Sequence, residues 1–256
     1  SAIIMLPLLV IVFIGDWLLI VGCFVIGLMG IREFYRGFEN LNIKPSKLVA
    51  NLSILGLYAI NIFAPAEHRF YMLWIIAVIL MSFLYLFNAE HRELTDAMAT
   101  ITGIFYVVFF SFHVALVDQT GEYGLMVWLI FLTAFGTDIM AYFTGYALGK
   151  HKLAPRISPK KTIEGSIGGI LGSVIFCAIF GYFVIPRLLV HCIILGLLGG
   201  IISQIGDLTA SIFKRKMGIK DYGNLIPGHG GILDRFDSVL FTAPMVYYYI
   251  IFIIGQ

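Results

Sequence analysis

The sequence predicts an all-α, polytopic integral membrane protein, and three observations lead to that fold class. Of its 256 residues, 60% are hydrophobic and only 12% are charged, and the mean hydropathy is +0.95. A water-soluble domain is about half apolar and a quarter charged, and a disordered chain has the opposite bias. The apolar residues also form runs long enough for helices that cross a bilayer, rather than the alternating segments of a barrel.

Nine apolar runs predict about nine transmembrane helices. The runs are 2–14, 17–36, 48–64, 70–87, 94–116, 123–148, 164–185, 188–213 and 238–254. The first is short, and only Gly15 and Asp16 separate it from the second, so a tilted or re-entrant segment is an alternative to a full crossing. The absence of a basic leading segment and of a small-residue cleavage site argues against a signal peptide. The chain begins without Met, which leaves open that residues precede Ser1.

The basic residues predict the orientation in the membrane. With nine spans, one side holds 15 of the 17 Lys and Arg residues, and the other holds only Arg69 and Arg187. The larger set is Arg32, Arg36, Lys44, Lys47, Arg92, Lys150, Lys152, Arg156, Lys160, Lys161, Lys214, Arg215, Lys216, Lys220 and Arg235. Cytoplasmic loops carry the excess of basic residues. We therefore expect a cytoplasmic N-terminus and an extracytoplasmic C-terminus.

A single transmembrane domain over 1–256 is expected, because no hydrophilic domain is appended. Its parts are N-terminal spans within 1–120, a region over 135–238 that holds the catalytic motifs, and a last span over 238–254. We expect the N-terminal spans to form a scaffold and the side that faces lipid. Glycines four residues apart, such as Gly165 and Gly169 or Gly196 and Gly200, favour close helix packing or dimerisation. The three cysteines lie in apolar runs without ligand spacing, and we interpret them as buried small hydrophobes.

Two acids stand out among those inside predicted spans, where an ionised side chain costs about 2.5–3.5 kcal/mol or more. They are Asp138 and Asp207. For Asp138 a structural acid paired with Lys or Arg remains a strong alternative. Asp207, Ser211, Lys214 and Arg215 have the spacing i, i+4, i+7, i+8, which places them on one helical face. This face runs from an acid in the membrane to two cations at the surface.

The segment from Lys220 to Asp237 is rich in glycine and charge. Its glycines allow tight turns and a close approach to a ligand. Asp234 and Asp237 are three residues apart, and with Asp207 they offer three carboxylates near one surface. Mg²⁺ prefers one or two carboxylates with phosphates and water, and neighbouring Lys and Arg suit a polyphosphate. His229, between glycines, is either a phosphate donor or part of the turn.

The loop after the sixth run is strongly basic and ends in Ser158-Pro159-Lys160-Lys161-Thr162 before a predicted helix. A helix N-terminus with free N–H groups favours an anion. The alternative is that these residues only anchor the positive side at the membrane surface. It applies more to Lys150, Lys152 and Arg156 than to Lys160 and Lys161. The chain has neither a GxxxxGK[ST] loop nor a GxGxxG after a strand, so a bound nucleotide would not occupy those folds.

These motifs resemble the phosphatidate cytidylyltransferase, or CDP-diacylglycerol synthase, family. The resemblance lies in three segments. They are Asp138-x-x-Ala141-Tyr142, Ser158-Pro159-Lys160-Lys161-Thr162-x-Glu164-Gly165, and Asp207-x-x-x-Ser211-x-x-Lys214-Arg215 with Lys220-Asp221, Pro227-Gly228-His229-Gly230-Gly231 and Asp234-Arg235-x-Asp237. The match is strong over about 135–238, whereas the first 120 residues match only in span layout. Ile163 and Tyr222 depart from the usual residues, without loss of a charged or glycine position.

The resemblance implies that CTP and phosphatidic acid give CDP-diacylglycerol and pyrophosphate. It implies a Mg²⁺-dependent enzyme, with K⁺ as a possible second cation, that is a homodimer in a bacterial inner or plasma membrane with a cytoplasmic active site. Asp207 and Asp237 would hold metal, with Asp234 close by, and Lys214 would join these three acids in catalysis. The residues implied to bind substrate are Asp138, Ser158, Lys160, Lys161, Thr162, Ser211, Arg215, Lys220, Asp221, His229 and Arg235.

Other classes of function explain less of the sequence. An ion-coupled transporter would use Asp138 and Asp207 as ion sites, but no repeat of broken segments is present and the basic loops stay unexplained. Another CTP-dependent lipid enzyme, a CDP-archaeol synthase or a lipid-alcohol kinase, would differ in its acceptor. A CDP-alcohol phosphotransferase is excluded, because its motif begins with Asp-Gly and the chain has no such pair. CTP, phosphatidic acid and membrane lipids are the expected partners, and no nucleic acid is expected.

Overall fold

The computed structural model describes residues 2–65, 67–88, 90–223 and 230–255. Helical segments coincide with the nine predicted runs. They are α1 (Ala2–Ile14), α2 (Asp16–Glu39), α3 (Lys47–Phe63), α4 (His68–Leu84) with Tyr85–Phe87, α5 (Leu94–Gly103) with Ile104–Phe109 and α6 (Phe110–Asp118), Gly121–Met126 with α7 (Val127–Leu148), α8 (Ile163–Val184), Pro186–Leu188 with α9 (Leu189–Lys216), and α10 (Leu233–Tyr249) with Ile250–Ile254.

The all-α membrane fold is confirmed, whereas the count of nine crossings is not. Among the described residues, seven segments are long and apolar enough to span a bilayer, and α1 and α3 are not among them. The 13 residues of α1 reach only about 20 Å at ~1.5 Å per residue. The hydrocarbon core is about 30 Å thick, so α1 is too short to cross it unaided.

One element was not predicted from the sequence. The basic loop after α7 forms an antiparallel hairpin of β1 (Lys152–Ala154) and β2 (Ser158–Thr162), in which Lys152 pairs with Thr162 and Ala154 with Ser158. Strands of three and five residues are too short to show a clear alternation of polar and apolar side chains. The hairpin leads directly into α8.

The described contacts divide the chain into two compact units, each built from separated segments. The first contains the described residues of Ser1–Leu19, His113–Arg215 and Phe236–Gln256, and the second those of Ile20–Phe112 and Lys216–Arg235. The units therefore do not follow one another along the chain. The single domain over 1–256 stays a prediction.

In the first unit, glycines let the helices approach closely. A Cβ added at Gly165 or Gly169 of α8 would lie 2.8 or 2.9 Å from a backbone oxygen of α7, and one at Gly196 of α9 would lie 2.8 Å from Val174 of α8. Small residues at this spacing allow backbone contact between helices in lipid. Packing within the chain thus accounts for these predicted glycine stripes.

In the second unit, the loop between α2 and α3 is tied to α4 and α5. The backbone N–H of Lys44 donates to Asp96 Oδ1 at 2.6 Å, and the Tyr85 hydroxyl donates to the Lys44 carbonyl at 3.1 Å. The Ser46 N–H donates to Thr100 Oγ1 at 2.8 Å. The start of α3 and the end of α4 therefore lie together, and the two helices run antiparallel.

Candidate active site

A cavity of about 570 Å³ lies in the first unit, among α7, the hairpin, α8 and α9. This size is within the range of about 300–1,000 Å³ that is usual for ligand pockets. Five residues predicted to act at the site line it, namely Asp138, Lys160, Lys161, Thr162 and Asp207. They come from three stretches of sequence more than 20 residues apart, which the fold brings to one place.

An ion pair joins two of these residues. The ammonium group of Lys161, at the end of β2, contacts the carboxylate of Asp207 in α9, and each side chain is about a quarter exposed (25% and 23%). Ser211 Oγ lies one turn further along α9, 3.5 Å from Asp207 Oδ1. The acid predicted to lie in the membrane is thus neutralised by a lysine of the basic loop.

Asp237 belongs to the same electrostatic group, although it does not line the cavity. It is buried in α10, 8% exposed, and its Oδ1 accepts the Ser238 N–H at 2.8 Å. Its carboxylate interacts electrostatically with Asp207, Lys214 and Asp138. A Cβ added at Gly206 would lie 2.9 Å from the Asp237 carbonyl oxygen, so α9 and α10 touch beside these acids.

Side chains at its two ends hold the hairpin in place. Glu164, in the first turn of α8, accepts the N–H groups of Lys150 and His151 at 3.1 and 3.2 Å, and lies 2.6 Å from the imidazole of His151. At the turn, Arg215 Nε donates to the Ile157 carbonyl at 3.2 Å. Arg215, predicted to bind substrate, therefore also fastens the hairpin to the end of α9.

Thr162, the residue before α8, gives the cavity a capped helix N-terminus. Its Oγ1 accepts the Gly165 N–H at 3.1 Å, as an N-cap residue does. The first turn of the helix adds a partial positive charge to that of Lys160 and Lys161. Positive charge at a helix N-terminus favours an anion, and the binding of phosphate groups at this end of the cavity stays a prediction.

Two polar residues that line the cavity, Ser166 and Gln204, were missed by the sequence analysis. Gln204 donates to the Ser166 carbonyl at 3.1 Å and accepts from the Ser166 hydroxyl, which links α9 to α8. Tyr142, Tyr146 and Lys152 also line it. An amide side chain in a span, one turn before Asp207, was the available signal, but only ionised residues were sought there.

The remaining predicted residues lie away from the cavity lining. Ser158 is half-buried in β2, and Lys214 is half-buried near the end of α9. Lys220 and Asp221 are exposed in the second unit, and Arg235 is half-buried in the first turn of α10. His229, with Pro227 and Gly228, is outside the described residues.

Asp234 fixes backbone in the second unit. Its Oδ2 accepts the N–H groups of Tyr222 and Gly231 at 2.8 and 2.9 Å. Nearby, the carboxylate of Glu33 in α2 accepts the N–H groups of Ile232 and Leu233 at 3.1 and 2.9 Å. Glu33 is a buried acid within a predicted span, but the adjacent Arg32 and Arg36 led the sequence analysis to treat this helix end as basic loop.

The donor set suits a hard cation that shares its ligands with a substrate. In the part of the chain that the structure describes, no three His, Cys, Asp or Glu side chains are grouped to hold one metal ion. Asp138, Asp207 and Asp237 nevertheless form one electrostatic group with Lys214, and Lys161 pairs with Asp207. A cation such as Mg²⁺, held by one or two of these carboxylates with phosphate and water, fits this set.

Similar proteins are known. The sequence profile of the cytidylyltransferase family matches residues 1–253. The phosphatidate cytidylyltransferase of Synechocystis sp. is 33% identical over an alignment of 270 positions, which covers 94% of this chain and 91% of that protein. The phosphatidate cytidylyltransferase of Bacillus subtilis is 34% identical over 82% of each chain, and that of Staphylococcus epidermidis is 36% identical over 91% of this chain and 89% of its own.

Proposed function

The chain belongs to the cytidylyltransferase family and converts CTP and phosphatidic acid to CDP-diacylglycerol and pyrophosphate, and we propose that the cavity beside Asp207 is where it does so. The Lys161–Asp207 ion pair carries this proposal. It brings the basic hairpin and the acid of α9 together in a cavity large enough for a ligand.

The reaction joins two polyanions, so neutralising charge is the main task of the site. A phosphate oxygen of phosphatidic acid bonds to the α-phosphorus of CTP, and the bond from that phosphorus to the oxygen bridging to the β-phosphate breaks. Pyrophosphate leaves with the electron pair. The attacking oxygen is already anionic at neutral pH, so no strong base is needed. Lys160 and Lys161 offset the phosphate charge and stabilise the charge on the leaving group.

Asp207 and Asp237 are the pair that we propose to hold Mg²⁺. Their backbones meet at Gly206, and their carboxylates interact with one another. Bound Mg²⁺ would neutralise the triphosphate and orient its α-phosphate. Asp138 completes the acidic group, and its role in substrate binding and the use of K⁺ as a second cation stay predictions. Asp234, bound to two backbone N–H groups, would position the start of α10, and its role as a metal ligand stays a prediction.

Turnover of the purified protein tests these assignments. In detergent with phosphatidic acid, CTP and Mg²⁺, we expect pyrophosphate release and a new lipid with the mass of CDP-diacylglycerol. Chelator should abolish both, and Asp207→Asn should lower turnover at least about 100-fold, the loss typical of one essential electrostatic group. Glu67→Gln, a change of an exposed acid paired with Arg69, is the matched control and should keep full activity.

Three outcomes would contradict the proposal. Full activity of a folded Asp207→Asn variant would show that Asp207 has no role in the reaction. Activity in the presence of chelator would show that the reaction needs no metal ion. Turnover with an unphosphorylated lipid alcohol in place of phosphatidic acid would indicate a lipid-alcohol kinase instead.

We also propose the predicted orientation, with the cavity on the cytoplasmic side of a bacterial cell membrane. The excess of basic residues supports the choice of side, and contacts within each unit support the division of the helix ends between two sides. Asp118 accepts the Asp16 N–H at 2.9 Å, and Arg187 contacts Glu122 at 3.0 Å. Both contacts join helix ends that the nine-span count assigns to the extracytoplasmic side. The Lys161–Asp207 and Lys44–Asp96 contacts join ends assigned to the cytoplasm.

Lipid partners and a homodimer are further parts of the proposal. The substrate phosphatidic acid arrives from the bilayer, so membrane lipids must reach the cavity. Many apolar side chains of α8 are exposed on the single chain, including Ile167, Leu171 and Ile175. Lipid or a second copy of the chain would cover them. Cross-linking in intact membranes would distinguish a dimer from a monomer.

A further inference from the structure

The first turn of α10 is capped by a residue from another helix. Ile232, which precedes the helix, has no side-chain acceptor for the first N–H groups. Glu33 of α2 supplies it, because its Oε1 accepts the Ile232 N–H at 3.1 Å and its Oε2 accepts the Leu233 N–H at 2.9 Å. The two partners are about 200 residues apart in sequence. The first N–H groups of a helix have no partner within the helix, and a side chain close in sequence normally accepts from them.

Two glycines make room for this carboxylate. A Cβ added at Gly223 would lie 2.6 Å from Glu33 Oε1, and one added at Gly231 would collide with the same group. The sequence analysis expected the glycines of this segment to admit a ligand. Of the glycines that the structure describes there, Gly223 and Gly231 instead admit a side chain of the protein.

A charged group in this place needs a reason. Glu33 is 9% exposed and lies within a segment long enough to span the membrane. Burial disfavours the ionised form of a carboxyl group unless charged or hydrogen-bonding partners compensate it. The positive end of a helix stabilises a carboxylate more than it would stabilise a neutral acceptor. The two hydrogen bonds are also stronger when the acceptor is charged.

We infer that Glu33 is a positioning residue of the reaction. It fixes the first turn of α10, the helix that carries Asp234 in this turn and Asp237 one turn later. Asp234 binds the same segment through the N–H groups of Tyr222 and Gly231. This inference rests on the proposed roles of the two aspartates. A displacement of about 1 Å in such groups is enough to lower a rate about 100-fold.

The decisive comparison is Glu33→Gln against Glu39→Gln. Glutamine keeps the shape and one acceptor but loses the charge and the second acceptor. Glu39, two turns along α2, is exposed and pairs only loosely with Lys47 at 3.5 Å. We expect Glu33→Gln to lower kcat between about 10- and 100-fold, up to the loss expected for a 1 Å displacement. KM for CTP should change less than about threefold, because the lysines that face the phosphates are untouched.

A second readout does not depend on activity. Hydrogen exchange of the 230–237 backbone should become faster in Glu33→Gln and stay unchanged in Glu39→Gln, while exchange in α7 and α8 stays as in the parent. If Glu33→Gln does not fold, Gly231→Ala replaces it, since the added methyl group displaces the carboxylate but leaves the charge. We expect the same local increase in exchange and the same loss of kcat.

The outcomes separate this inference from the proposed function. Unchanged kcat and exchange in Glu33→Gln, with an active parent, would overturn the positioning role and leave the cytidylyltransferase reaction standing. Equal losses of kcat in Glu33→Gln and Glu39→Gln would mean that Glu33 contributes only to general stability. A parent protein that turns over no CTP would overturn the proposed function and the positioning role with it, even where the exchange result shows the cap.

Discussion

Lys161 is the residue on which the charge balance of the cavity depends, because its ammonium group pairs with Asp207. We expect Lys161→Gln to lower kcat/KM for CTP about 10- to 100-fold, the equivalent of one charge-assisted contact of about 1.5–3 kcal/mol. Lys161→Arg should retain part of the activity. Steady-state kinetics at varied CTP would measure the change.

The matched control for this prediction is Lys216→Gln, which removes an exposed lysine at the end of α9. It changes the net charge by the same amount. If both variants lost activity equally, long-range attraction of CTP would explain the effect. If neither did, Lys161 would have no part in substrate binding.

Single residues were predictable where their placement violates a general rule. Asp207 and Asp138 stood out because ionised groups are costly in a bilayer, and the fold places both beside the predicted Lys160 and Lys161. Glu33 and Gln204 were missed. One stands among basic residues at a helix end, and the other is uncharged, so neither breaks that rule until the three-dimensional partners are known.

At the scale of single elements, the N-terminus of α8 is stabilised by the N-cap residue Thr162. Thr162→Val removes the hydroxyl that accepts the Gly165 N–H and keeps the shape of the side chain. We expect a loss of about 1 kcal/mol in stability, the usual value of an N-cap, seen as a lower unfolding midpoint in detergent. Thr162→Ser keeps the acceptor and should match the parent. Equal midpoints for Val and Ser would show that the cap contributes nothing.

The packing of α7 against α8 gives a second prediction at this scale. A Cβ at Gly169 would lie 2.9 Å from the Thr137 carbonyl oxygen and 3.0 Å from the Ala141 methyl group. We expect Gly169→Ala to destabilise the protein by about 1–3 kcal/mol through overpacking and to disturb the cavity between the helices. Thermal unfolding would measure the loss of stability. The control is Ile167→Ala on the exposed side of α8, and an equal effect there would contradict the packing argument.

Helices were predictable to within a few residues because the bilayer demands long apolar runs, and long runs are visible in a sequence. The hairpin of β1 and β2 was not. Its strands are short, and Glu164, Arg215 and the start of α8 stabilise it, which are contacts that no local pattern reveals.

For the whole molecule, the open question is whether α3 crosses the membrane. Its 17 residues fall just short of the usual span. Yet the loop before it is bound to the end of α4 through Lys44 and Tyr85, and α4 with its extension is long enough to cross. Because α3 starts where α4 ends and runs antiparallel to it, we expect α3 to cross the membrane as well.

Labelling of introduced cysteines with a membrane-impermeant thiol reagent tests this. Pro65→Cys, in the loop after α3, should react in intact cells, whereas Leu41→Cys, before α3, should react only after permeabilisation. The native Cys23, Cys177 and Cys192 are buried, so the parent protein supplies the background. Labelling of both positions from the same side would mean that α3 does not cross.

The ion pair between Lys161 and Asp207 has a thermodynamic consequence for loading. Lys161 and Asp207 neutralise each other, so a cation must compete with an ammonium group for the carboxylate, and a triphosphate must compete with a carboxylate for the ammonium group. Once either ligand binds, it releases the partner that the other ligand requires. Such linkage is reciprocal. Metal and nucleotide should therefore each raise the affinity of the cavity for the other by the same factor, and the enzyme should take up the complex of the two in preference to either alone.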